Sequence, residues 1–364
     1  MNLASTAFIV FFVYIFINAL FYLPVNDLSV ESFAIFLLST TLFFLLAILG
    51  SALDRFKTSR LKLSWVVFLF CLLSYLAVVA YLITKHQIDL FSAFEGFNFQ
   101  KSESIRSSIY SESGFILLFL EYSPIIIVLY LFQKNLLFGC ISFFAIAYVF
   151  SAFGSRGHVI NLLIVLVMFF YYNNNIRVKF WFFPIVILAG IGSITLLTFI
   201  KIGAQDLSDL SRVADAVIHR MNLGYVQLVQ VIEYTNKEGF EYGWSYIRDI
   251  VSLLPGPDYG TNKYLSVQIY GTELYGNLTP TILGESYLNF GFFSVFVLFL
   301  YGFSILKVDK FLRSTNEFSE FYLLIALFLV KFVVNGFSGV LPIAVFAVII
   351  FFFLSLQAIL KKAL

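Results

Sequence analysis

Apolar runs of roughly 20 residues, parted by short polar clusters, account for most of the chain. A helix needs about 20 apolar residues to cross the hydrocarbon core of a bilayer. On that measure the pattern predicts ten spans, near 4–23, 32–50, 64–83, 114–132, 136–153, 158–172, 181–200, 281–306, 320–335 and 340–358. The spans at 158–172 and 320–335 are short. Two connections are long, 84–113 and 201–280, and the others are tight. The pattern changes within 201–280. Val213, Val217, Met221, Gly224, Leu228 and Val231 recur at three- and four-residue steps after a capping Ser208 or Asp209, the mark of an amphipathic helix. A second, shorter helix is predicted from Tyr242 to Leu253, carrying Arg248 and Asp249. It stops at "LLPGPDYG", where Pro255, Gly256, Pro257 and Gly260 break regular structure. The predicted fold is therefore all-α and polytopic. Residues 1–200 hold transmembrane helices 1–7, residues 201–280 form an outer loop with amphipathic helices, and residues 281–364 hold helices 8–10.

Composition fixes the solvent. Apolar residues make up 60% of the 364, and charged ones only 12%, half the share of a soluble domain. A net charge of +2 gives no reason to expect nucleic acid. Cys71 and Cys140 both lie in apolar runs and read as small hydrophobes. The N-terminus has neither a basic leader nor a clear cleavage site, so its apolar stretch is read as a retained first span.

Lysine and arginine set the orientation. With the N-terminus inside, the cytoplasmic segments hold Arg55, Lys57, Arg60, Lys62, Lys134, Arg177, Lys179, Lys307, Lys310, Arg313, Lys361 and Lys362. The short outer connections hold essentially Arg156, with Lys331 just below the last of them. Both termini are predicted to face the cytoplasm and both long loops to face outward.

This places Arg156, in "SAFGSRGHVINLL", on the side that disfavours it. Its neighbouring glycines allow a tight turn and close approach of a ligand, and His158 and Asn161 follow at the outer leaflet. Snorkelling is the plainer reading of a lone arginine at a membrane edge, but the outward placement weakens it. Further on, "TNKYLSVQIYGTELYGNLTPTILGESYLNFGFF" is rich in tyrosine, glycine and amides, with Lys263, Glu273 and Glu285 among them. Tyr264, Tyr270, Tyr275 and Tyr287 suit sugar rings and equally suit an interfacial aromatic belt. Glu285, at the outer entrance of span eight, is a functional candidate or a partner for another helix. For Arg220 and Arg248 a solvated helix face or a local ion pair is the plainer alternative. For Lys263, Asp258 and Glu273 it is a polar loop. His158 and His219 read as surface hydrogen-bonders, Glu121 as a buried structural partner, and Lys331 as a side chain that snorkels outward. The chain has no Walker loop, no tight metal-ligating cluster and no G-x-S-x-G nucleophile motif.

At these residues the chain resembles a known group. "FGSRGHVINLLIV" resembles the "SRG" stretch of bacterial O-antigen polymerases and ligases. "LLPGPDYGTNKYL" followed by "LTPTILGESYLNFGFF" resembles the oligosaccharide repeat unit polymerases. The resemblance implies a GT-C-like glycosyltransferase of the bacterial inner membrane. Its substrate would be an undecaprenyl-diphosphate-linked oligosaccharide at the periplasmic face, beside membrane lipid, with a chain-length regulator as an open partner. No cofactor, metal or nucleic acid is implied. Arg156 would hold the diphosphate, with Arg220 or Arg248 completing the clamp, because a guanidinium fork binds phosphate bidentately. Glu285, Glu273 or Asp258 would take the acceptor proton. Lys263, Tyr259, Tyr264, Tyr287, Asn289 and His158 would bind substrate. The arginine-to-glycine spacing of some polymerase loops is not reproduced by Arg212 and Gly224 or by Arg248 and Gly260, and His219 is the one histidine in the large loop that a ligase could use. The competing readings are an O-antigen ligase, a flippase or other transporter of lipid-linked oligosaccharide, and an export scaffold.

Overall fold

A computed structural model describes residues 11, 30–52, 63–88, 114–152, 158–159, 161–163, 165–166, 169, 210–252, 260–271, 278–314, 319–337 and 340–363. Arg156, Asp258, Tyr259 and Glu273 lie outside the described residues, as do the predicted span at 181–200 and nearly all of that at 4–23. The helix through Arg212, His219 and Arg220 is described as backbone only at those positions.

Every regular element among the described residues is helical. In chain order these are α1 (Val30–Ala52), α2 (Trp65–His86), α3 (Gly114–Lys134), α4 (Leu136–Ala152), α5 (Leu210–Glu238), α6 (Trp244–Ser252), α7 (Thr261–Tyr270), α8 (Thr281–Phe290), α9 (Ser294–Ser314), α10 (Ser319–Asn335) and α11 (Leu341–Ala363). A single 3₁₀ turn, Gly291–Phe293, joins α8 to α9. Among the described residues, two stretches, Trp65–His86 and Thr281–Val308, are long and apolar enough to cross a membrane.

The tight connections have local causes. Asn135 turns α3 into α4: its N–H donates to Leu131 O, and its side-chain oxygen accepts from Leu137 N at 2.8 Å, capping the new helix. Helix α2 closes at Gln87, a left-handed residue whose N–H returns to Ile83 O. Helices α2, α3 and α4 pack in succession, and α11 lies against α2 and α3. Their shared core is aliphatic and aromatic, with Val67, Cys71, Ile126, Leu129 and Phe346 fully buried.

Helix α1 runs parallel to the α8–α9 stretch. Tyr287 OH lies 2.5 Å from Glu31 Oε1, an offset of 256 in sequence. Gly302 meets Leu46 at the same offset, and a Cβ on Gly302 would collide with the leucine side chain. The two contacts are about 22 Å apart along the helices. They bring the start of α1, the end of α5 and α8 to one end of the bundle, where Asn236 also meets Glu31. At the other end Leu63 N–H donates to Gln133 Oε1, joining the start of α2 to the end of α3.

Sidedness of the exposed residues identifies the surroundings. In α6 the polar Ser245 and Asp249 are fully buried, whereas Trp244, Ile247, Ile250 and Val251 are exposed. Helix α9 exposes Phe296, Phe299, Leu300 and Phe303. In water this arrangement would forfeit the hydrophobic effect on every one of those side chains. A hydrocarbon solvent reverses the preference, so these faces fit lipid. Exposed Tyr242 and Trp244 fit the interfacial aromatic belt.

The sequence pattern placed span eight at 281–306 as one helix. The structure divides it. Helix α8 is buried from Thr281 through Asn289, and the chain re-aims at Gly291 before α9 enters the lipid-facing layer. Gly291 has φ +55°, and a Cβ there would strike the Phe240 ring, so only glycine fits.

Candidate functional site

Helix α8 buries Thr281, Glu285, Ser286 and Asn289 together. Polar groups removed from water need partners, and neighbouring segments supply them. The chain between α5 and α6 reverses through Gly239 (φ +98°), Tyr242 (φ 49°) and Gly243 (φ +97°). That reversal points Gly243 N–H at Asn289 Oδ1, 2.7 Å away, and Glu241 N–H at Leu288 O, 2.9 Å away. Asn289 Nδ2 donates to Ser245 Oγ at 2.6 Å and to Glu285 O at 2.9 Å. Ser245 Oγ lies 3.4 Å from Glu285 Oε1. The second Glu285 oxygen accepts the backbone N–H of Phe337, just past the end of α10. Gly336 makes room for it: φ is +70°, and a Cβ would run into the Glu285 carboxylate. Glu285 therefore ties α6, α8 and the α10–α11 turn together.

Asp249 extends the network. Its Oδ1 accepts Thr261 N–H at 2.7 Å, capping the first turn of α7, and Thr261 Oγ1 donates to Ser245 O at 2.8 Å. Asp249 Oδ2 has no ordinary donor among the described residues and lies within hydrogen-bonding reach of the Glu285 carboxyl. Two carboxylates cannot donate to one another, so one of this pair carries a proton. Burial pushes the Asp249 carboxyl up to about 6, against the pull of the Thr261 hydrogen bonds and the Arg248 charge.

Arg248, next along α6, is held by an acid and a ring. Its Nη2 pairs with Glu241 Oε2 across the turn, and its guanidinium carbon lies 4.0 Å from the centroid of the Tyr264 ring. Burial raises the Glu241 carboxyl, and Arg248 draws it back down. The Tyr264 hydroxyl is 3.2 Å from that of Tyr234 on α5. Arg248 Nε is buried and makes no hydrogen bond among the described residues. Helix α7 is moored to α5 through Tyr270–Gln230 (2.5 Å) and to the approach to α8 through Leu278–Ser266 (2.7 Å), and that approach is itself tied to α5 through Thr279–Gln227 (2.8 Å).

A second polar cluster lies inside the bundle. Glu121, about 10 Å along α3, receives His158 Nε2 at 2.6 Å and Lys331 Nζ at 3.4 Å, and Lys331 also donates to Tyr122 OH at 2.9 Å. The sequence pattern suggested that Lys331 snorkels outward. Instead it turns to Glu121, because a half-buried carboxylate among apolar helices draws the nearest cation. Glu121 is the structural partner the sequence suggested.

Of the residues singled out from sequence, Arg248, Tyr264, Glu285 and Asn289 meet in one network on α6, α7 and α8. Lys263 is half-buried on α7. Tyr287 belongs to the adjoining Glu31–Asn236 group, and His158 to the separate Glu121–Lys331 cluster. Sequence reasoning missed Asp249, Ser245, Glu241, Thr261 and Glu31 as members. One signal was present. Ser245 and Asp249 sit four apart, on the face of α6 opposite Ile247, Ile250 and Val251, so a helix lying on lipid turns them inward.

The arrangement offers a cation fixed over an aromatic ring, a carboxyl pair sharing a proton beside it, and a helix, α6, that carries the cation and one of the two carboxyls and whose outer face fits lipid. Over residues 2–352 the chain matches the family model described as "Putative O-antigen polymerase". No curated protein and no solved structure matches it. The family match takes in nearly the whole chain, motif segments and membrane helices alike, and the chain belongs to the O-antigen polymerase family.

Proposed function

We propose that the protein joins undecaprenyl-diphosphate-linked repeat units of a surface polysaccharide at the periplasmic face of the inner membrane. A hydroxyl of the newly arrived lipid-linked unit attacks the anomeric carbon of the growing glycan. The new C–O bond forms as the bond from that carbon to the diphosphate oxygen breaks. The hydroxyl proton passes to a carboxylate, and undecaprenyl diphosphate leaves with the bonding pair. Negative charge grows on the diphosphate during this step, so fixed cations at the headgroup level stabilise the transition state by about 3–4 kcal/mol per well-placed group.

The observation that carries this reading is Arg248: a guanidinium over the Tyr264 ring, paired with Glu241 and, among the described residues, with no partner for its buried Nε, on a helix whose outer face fits lipid. Arg248 and Arg156 form the clamp in this reading, with Arg220 the alternative second cation. Glu285, whose two oxygens are engaged by Ser245 and Phe337, holds the elements in place. Acceptor deprotonation then falls to Asp258 or Glu273, which sit on the two linkers that bracket α7 in sequence. In this reading Lys263, Tyr264 and Tyr259 bind the glycan, Tyr287 and Asn289, buried and hydrogen-bonded within the protein, hold α8 in place, and His158 stands beside Arg156 in sequence.

The test is purified protein in liposomes with lipid-linked repeat units and no added metal. The reading expects a ladder of lengthening lipid-linked glycans, with one undecaprenyl diphosphate released per joining event. Units that cross the bilayer without being joined would overturn it in favour of transport.

A further inference from the structure

We propose that the groove between α9, α10 and α11 holds the start of the prenyl chain of the lipid-linked substrate, so that the diphosphate emerges beneath α6. This rests on the function proposed above and adds a binding site to it. The groove has a volume of about 380 Å³. Its walls include Tyr301, Ile305, Ile325, Phe328, Ala344 and Val348. The one hydroxyl-bearing aliphatic side chain on it, Ser304, spends its proton on Leu300 O at 2.8 Å. From Tyr301 to Val308 the groove follows α9 for about 10 Å. Its floor is closed by Leu324, Leu329 and Ile343, whereas Val308 and Val348 are exposed, which leaves a side entrance open to lipid.

What distinguishes this groove from any other apolar surface is its roof. Phe337 lines it, and the backbone N–H of Phe337 is held by Glu285. The Tyr246 ring on α6 lies 5.1 Å from that of Phe337, and the Tyr301 hydroxyl is 3.5 Å from the Tyr246 hydroxyl. The groove thus ends against the short helix that carries Arg248. A ligand that is hydrocarbon along its length and anionic at one end matches that sequence of surfaces. Lipid tails are as apolar as the groove, so moving a prenyl chain into it gains little affinity. What the groove supplies is position: a chain laid along α9 delivers its diphosphate to one place.

The test uses full-length protein in liposomes, with a photoreactive benzoylphenylalanine at Val348 and radiolabelled undecaprenyl diphosphate as probe. The expected result is labelling that excess unlabelled undecaprenyl diphosphate suppresses and that phospholipid does not suppress. In parallel, Ala344→Trp, which fills the groove, should lower that specific labelling by about tenfold. Labelling suppressed equally by phospholipid, or undiminished in Ala344→Trp, overturns the inference. A groove that labels as expected in a protein that joins no repeat units would sink the proposed reaction alone; a protein that joins them but does not label would sink the groove alone.

Discussion

The Arg248 guanidinium sits over the Tyr264 ring, its carbon 4.0 Å from the ring centroid, with Glu241 pairing its Nη2. The ring, and not the tyrosine hydroxyl, carries this contact. Tyr264→Phe should therefore keep chain extension within about twofold of the native rate, and Tyr264→Ala should lower it by about tenfold, the scale of a partly desolvated cation–π contact. Arg248→Ala should cost about 100-fold, and Arg248→Lys should recover only part, because an ammonium lacks the planar fork. Equal rates for the phenylalanine and alanine variants would mean the ring does not position the arginine.

Asp249 gives the protein a pH signature. Its carboxyl stands near 6 in the folded chain against an ordinary 3.8, chiefly through burial. The folded chain therefore holds this proton more tightly than the unfolded chain does. That stabilisation is complete below about pH 4 and is lost as pH rises through about 6. The melting temperature of detergent-solubilised protein should fall between about pH 5 and about pH 7, and Asp249→Asn should flatten the fall. A slope unchanged in the variant would assign the effect to another group.

Gly336 and Gly271 separate backbone strain from collision. Both are left-handed, at φ +70° and +71°, but a Cβ on Gly271 meets nothing among the described residues, whereas one on Gly336 strikes Glu285. Gly271→Ala should cost only the conformational penalty, about 1–2 kcal/mol. Gly336→Ala must also displace the Glu285 carboxylate, so its melting temperature should be clearly the lower of the two. Matching melting temperatures would show that Glu285 moves aside without loss.

Glu121 and Lys331 should behave as a partly buried ion pair in an apolar setting. Glu121→Gln leaves Lys331 without its carboxylate and should destabilise by about 3 kcal/mol or more. Adding Lys331→Met should restore much of that loss, since the double variant buries no unpaired charge at either position. A double variant less stable than Glu121→Gln alone, measured by thermal unfolding, would contradict the pairing.

Much of the architecture was legible because the apolar runs have the length a membrane demands. The ranges predicted for α1, α2, α3, α4 and α10 agree with the helices to within a few residues. Helix α5 was legible from its Gly224–Leu228–Val231 stripe, all three residues of which are buried. Helix α7 was not, because "TNKYLSVQIY" has no apolar stripe of its own; its first turn is fixed by Asp249, twelve residues upstream. The break at Gly291 was hidden for a similar reason. Hydropathy runs smoothly across it, and only the approach of Phe240 requires a residue without a Cβ. At the site, Arg248 and Glu285 stood out as charges in apolar surroundings. Their partners Glu241 and Phe337 did not, since one is reached across a reversed turn and the other through a backbone N–H.

The account stands or falls on outward-facing arginines gripping a prenyl diphosphate as its sugar is transferred. The most direct measurement is the initial rate of undecaprenyl diphosphate release during chain extension by purified protein, compared among native, Arg156→Ala and Arg156→Lys forms at equal folded amounts. The account predicts a loss of about 100-fold or more in the alanine form and partial recovery with lysine. Native rates in both variants would contradict it.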